Sequence, residues 1–134
     1  MSLSFNHSYI CTKILKQLIN TDFEPLVELT LDIEGGLTPD ISVYKETAKP
    51  DFLEDQVKYG IMPILAIEIL SPSQNIPELV SKAKKMLEAG ISWVWIVDTY
   101  ARTVIVMGKE SHDTVHKDVV DSGGIKVDFK EIFF

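Results

Sequence analysis

Near the start of the chain, apolar residues recur at three- and four-residue intervals. Ile10, Ile14, Leu15 and Leu18 form one stripe, which predicts a helix from Ser8 to Asn20. Asn6 or Ser8 supplies a capping side chain at its start. The period then changes. Leu26–Ile33 alternates apolar and polar residues, as a half-buried strand does. Gly35–Gly36 marks a turn, and Ile41–Tyr44 reads as a second short strand. Lys45–Tyr59 is polar, contains Pro50 and lacks clean periodicity, so it reads as a loop with at most one helical turn.

The next stretch is almost wholly apolar. Pro63–Leu70 has the composition of a strand covered on both faces. Ser71-Pro-Ser-Gln-Asn breaks it, and Pro77 opens a helix running to about Ala89, stopped by Gly90. Trp93–Val97 predicts another buried strand, and Thr103–Met107 pairs with it as a hairpin. Weaker strand signals follow at Thr114–Val119 and Ile125–Val127, before a short apolar end, Ile132-Phe-Phe. Two apolar strands joined through a helix predict a right-handed parallel crossover. The fold class expected is α/β, a mixed central sheet flanked by helices, with residues 1–134 forming a single domain.

Composition narrows the picture only a little. The chain of 134 residues is 46 % hydrophobic and 25 % charged, which suits an ordinary globular protein. Its longest apolar run, Ile61–Ile67, ends at Glu68 and falls short of the roughly 18 residues of a membrane span. Met1–Tyr9 lacks the basic start and apolar stretch of a secretory signal. Cys11 is alone, which excludes a disulfide framework and makes the cytoplasm the expected location. A net charge of −7 argues against holding nucleic acid by charge neutralisation alone.

Chemistry enters with two carboxylates and a lysine. Asp40 follows Pro39 at the start of a short strand, and Glu68 lies inside the apolar strand on the opposite face from Ile67 and Ile69. An ionised carboxylate among Ile, Leu and Ala needs compensation, and a divalent cation is one partner that supplies it. If the two strands pair, Asp40 and Glu68 share a hard cation such as magnesium, with Lys82 on the following helix assisting as a cation. Plainer roles stand beside these: Asp40 as a turn former, and Lys82 as a salt-bridge partner of Glu68. Asp98 reads as a turn residue, Trp93 and Trp95 as core or interface packing on one strand face, and His7, His112 and His116 as surface or helix-start groups.

The pattern Pro-Asp-Ile-Ser-Val, then Ala-Ile-Glu-Ile-Leu-Ser-Pro-Ser, then a lysine-bearing helix ending Ala-Gly-Ile, then Trp-Ile-Val-Asp, resembles the Uma-two family. That family is grouped with endonucleases of the restriction-endonuclease-like (PD-(D/E)XK) fold. The resemblance covers roughly Asn6–Met107 and implies a core sheet with a helix on each side. The plain superfamily motif has a lysine two residues after the strand carboxylate, where this chain has Leu70. The resemblance implies that Lys82 takes over that role, that Asp40 and Glu68 bind magnesium or manganese, and that nucleic acid, DNA in the first instance, is hydrolysed. The alternative is a catalytically degenerate nuclease-fold domain serving as an interaction or structural module. A homodimer is expected from the small size, with Ile132-Phe-Phe helping to bury its interface.

Overall fold

A computed structural model describes residues 4–109 and 112–134. The first helix, α1, spans Phe5–Leu18 and starts earlier than the apolar stripe suggests. Ser4, rather than Asn6 or Ser8, is its cap: the Ser4 hydroxyl accepts from the His7 backbone N–H at 3.1 Å. His7, Ile10, Ile14 and Leu18 are the buried residues of this helix. Their spacing extends the apolar stripe by one further turn toward the N-terminus, with a histidine at its end.

Six strands follow one another across the main sheet in chain order: β1 Glu24–Val27, β2 Ile41–Tyr44, β3 Leu65–Ile69, β4 Trp93–Asp98, β5 Thr103–Met107 and β6 His112–His116. All neighbouring pairs are antiparallel except β3 and β4, which are parallel. The second helix, α2 (Ile76–Glu88), makes that crossover, with Asn75 as its cap and Pro77 in its first turn. No helix among the described residues is long and apolar enough to cross a membrane.

Alternation along the strands divides the core between the two faces of the sheet. Leu65, Ile67 and Ile69 of β3 join Ile41, Val43, Trp95 and Val97 beneath α1. Ala66 and Leu70 point the other way, with Val94 and Ile96, toward Leu79, Ala83, Met86 and Leu87 of α2. Because both faces are covered, β3 and β4 up to Val97 had to be apolar. Glu68 is the exception, on the α2 face.

A second, two-stranded sheet closes the α1 side, built from β7 (Val119–Ser122) and β8 (Ile125–Asp128). Gly123 and Gly124 form its turn with φ of 62° and 89°, the two positive values that a tight hairpin of this kind requires. The hairpin is pinned to the sheet by Trp95, whose Nε1 donates to Ser122 Oγ at 2.9 Å. Trp95 also meets Phe129 edge to face.

Several expectations change. The alternating segment Leu26–Ile33 is not one strand. β1 ends at Val27, and Glu28 turns the backbone at φ 50°, so that Leu31 and Ile33 cross to the α2 core. The stretch Thr114–Val119 is divided between β6 and β7 by Lys117 at φ 44°. Of the apolar end expected at an interface, Ile132 and Phe133 are buried in the chain's own α1-side core, whereas Phe134 is exposed. The side chains of His112 and His116 fall outside the described residues.

Candidate active site

The pairing of β2 with β3 sets the geometry. Ile41 stands across from Ile67, and one further step in this antiparallel register brings Asp40 opposite Glu68. Asp40 ends the segment Thr38-Pro39-Asp40, just outside the strand. Its Oδ2 accepts from the Ile69 backbone N–H at 2.7 Å and lies 3.1 Å from His7 Nε2. The carboxylate is thereby held between the end of β3 and the first turns of α1.

Glu68 is 1 % exposed. Its compensation comes from α2, where Leu79, Lys82 and Met86 recur at helical spacing and place Lys82 at the edge of the buried stripe. Lys82 Nζ lies 2.7 Å from Glu68 Oε2 and 3.0 Å from Oε1, and it also donates to the Thr38 carbonyl at 2.9 Å. One ammonium group thus ties α2 to β3 and to the segment carrying Asp40. The order of charges across the sheet end is imidazole, carboxylate, carboxylate, ammonium.

Electrostatics raise the titration of two of these groups, Glu68 and His7. Burial drives Glu68 up to about 7 from the ordinary carboxylate range. The Lys82 charge opposes that rise, and the neighbouring Asp40 charge adds to it. His7 is raised above the usual imidazole value, first by its hydrogen bond to Asp40 against the pull of burial, then by the charges of Asp40, Glu68 and Glu28. Cys11 shares a cavity of about 220 Å³ with His7, Glu28 and Asp40, and burial raises its thiol to about 11. It stays protonated there, as an inert wall residue.

The donor set suits a hard cation of limited protein ligation. Among the described residues, no cluster of three or more His, Cys, Asp and Glu is arranged to hold a metal ion. Two carboxylates do converge, and magnesium commonly takes one or two carboxylates and completes its shell with water and phosphate oxygens. Glu68 Oε2 is buried with the Lys82 ammonium at 2.7 Å beside it, and a carboxylate oxygen has two lone pairs, so acceptor capacity is left for an ion. The residues fit such an ion.

Asp40, Glu68 and Lys82, singled out in the sequence, are brought together. His7 lies in the first turn of α1, as a helix-start group, but it is not on the surface: it is 3 % exposed and paired with Asp40. Its place in the 7, 10, 14, 18 stripe was the signal available in the sequence. Glu28 lines the cavity beside Asp40, whereas Glu34 lies in the turn before Gly35 and is exposed. Asp98 is a turn residue as expected, its Oδ1 accepting from the N–H groups of Tyr100 and Ala101. Trp95 is core, as its strand pattern indicated.

A mixed sheet between helices, with acidic groups gathered at the end of paired strands, defines a restriction-endonuclease-like class of protein. The Uma2 family, described as "Putative restriction endonuclease", matches residues 1–128, and the chain belongs to that family. The fold is similar to that of a solved structure described as a putative nuclease belonging to DUF820 from Anabaena variabilis, with a TM-score of 0.80 and 21 % identity. That match covers 97 % of this chain and 81 % of the other. No curated protein matches the chain.

Proposed function

We propose that this chain is a magnesium- or manganese-dependent endonuclease that hydrolyses phosphodiester bonds in nucleic acid, acting as one domain over residues 1–134 in the cytoplasm. The observation that carries the reading is the buried Glu68, placed opposite Asp40 and gripped by Lys82. Family membership supports a nuclease function, and enzymes of this class generally use divalent metal ions.

Asp40 and Glu68 would hold the ion. When bound, it supplies Lewis acidity to the phosphodiester and lowers the pKa of coordinated water. Asp40 is oriented for this task by the Ile69 N–H and His7. Lys82 is fixed by the Thr38 carbonyl and contributes a positive charge where the phosphate oxygens gain negative charge. Binding requires an ionised Glu68, so the site loads more readily as pH rises past about 7.

A second reading, a degenerate module, draws support from the pairing already present: Lys82 engages both Glu68 oxygens and His7 engages Asp40. The deciding experiment incubates wild type and Glu68→Ala with plasmid DNA and with RNA, in magnesium and in manganese, beside a calorimetric titration of each ion. Cleavage and metal binding by wild type alone support the enzyme. Metal binding without cleavage of any nucleic acid supports the module.

A further inference from the structure

At the same end of the sheet as the carboxylates lies a cleft of different character. Two adjoining cavities, each about 250 Å³, share Phe5, Asn6 and Thr99. One continues to Tyr9, Arg102 and Phe133, the other to Pro72 and Tyr100. Phe5 is 80 % exposed and Tyr100 70 % exposed, although both are large aromatic side chains. The rings of Phe5 and Tyr9 lie 6.0 Å apart, and Lys13 Nζ sits 5.3 Å from the Tyr9 centroid. Arg102, exposed, donates to the Phe134 carbonyl at 3.2 Å, which leaves most of its guanidinium donors facing outward.

The charge around this cleft runs against the rest of the molecule. The chain carries a net charge of −7, yet among the described residues no Asp or Glu side chain lines either cavity. Asp98 stands close by, but its Oδ1 is taken up by the backbone N–H groups of Tyr100 and Ala101. Position matters as well. Pro72 follows the end of β3 and Thr99 follows the end of β4, so the cleft opens at the carboxyl ends of the two parallel strands, the same end of the sheet at which Glu68 stands in β3.

We infer that this cleft binds unpaired bases, and that single-stranded nucleic acid is the substrate class presented to the carboxylates. The inference rests on the nuclease reading above. Exposed aromatic rings interleaved with a few cations form a stacking platform that accepts any base, because every base has a π-face. A duplex hides those faces and must be held through its phosphates, which needs a basic surface that an acidic chain with two cations at this cleft does not offer.

The test is fluorescence anisotropy in EDTA, which removes cleavage from the readout. The probes are a labelled oligothymidylate of about 16 nucleotides, its duplex with oligoadenylate, and an abasic strand of equal length. Wild type is expected to bind the oligothymidylate at least tenfold more tightly than either other probe. The double variant Phe5→Ala/Tyr100→Ala is expected to lose tenfold or more in that affinity. Both rings are exposed, so its melting temperature should match wild type and exclude misfolding as the cause. Glu68→Ala is expected to retain strand binding. Equal affinity for the abasic strand, or an unchanged double variant, overturns the inference. Strand binding with no cleavage in magnesium or manganese keeps the cleft and removes the nuclease reading instead.

Discussion

Lys82 and Glu68, fourteen residues apart in the chain, meet with their charged atoms 2.7 and 3.0 Å apart, the lysine side chain 27 % exposed and the glutamate 2 %. The asymmetry decides what each contributes. Removing the lysine leaves a charge with no route to water, whereas removing the glutamate frees a lysine that reaches solvent. Lys82→Met is therefore expected to destabilise the protein by about 2 kcal/mol at pH 8, toward the low end for a broken buried pair because the lysine is part-exposed. At pH 5 Glu68 is largely neutral and the loss should shrink. Urea unfolding at the two pH values checks this, and equal losses would refute the ionic account.

Glu68→Gln probes the other half of the pair. The folded-state pKa of Glu68, about 7, lies above its unfolded value of roughly 4.3. The contribution of this group to stability is full below the unfolded value and is lost as pH climbs through 7. The glutamine variant has no such slope. Its stability relative to wild type should rise between pH 4.5 and 7 and then level off, with a total change of about 4 kcal/mol at most. Thermal melts in EDTA across that range measure it, and a flat difference would show that Glu68 titrates normally.

How much of this centre could be read in the sequence follows from what set each position. Glu68 was legible because a carboxylate in an otherwise apolar strand has few stable explanations, and β2, β3 and the β4–β5 hairpin followed directly from their runs. The break of the Leu26–Ile33 segment was not legible. Its alternation is real, but Glu28 adopts a left-handed backbone that no residue type there announces. His7 was partly legible, since helical spacing includes it, but a buried histidine needs a partner that only the tertiary structure reveals. Asp40 supplies that partner from a segment far along the chain. Whether Ile132 and Phe133 turn inward or outward was likewise a matter of the surrounding fold, decided by the β7–β8 hairpin against which they pack.

His7→Ala separates support of the fold from support of the site. The hydrogen bond to Asp40 raises the His7 pKa above 6.5, so its stabilising contribution is present below that value and fades as pH rises through the folded one. The variant should lose about 1–2 kcal/mol at pH 6 and less at pH 9. Chemical denaturation at both pH values tests the stability effect, and an NMR titration of the wild-type imidazole tests the pKa. An imidazole that titrates below 6.5 would show that burial outweighs Asp40.

Metal binding should report the same linkage from the opposite direction. Asp40 and Glu68 bind a cation only when both are ionised, and burial holds back the ionisation of Glu68 until about pH 7. Manganese affinity measured by calorimetry should therefore climb by about tenfold per pH unit below 7 and flatten above it. Asp40→Asn should weaken binding at every pH while keeping the inflection, because Glu68 still titrates. Lys82→Met should displace the inflection upward, since the Lys82 charge is what opposes the rise caused by burial. A wild-type isotherm independent of pH between 5 and 8 would mean that Glu68 is not a ligand, and the ion would then have to be sought at Asp40 and Glu28 instead.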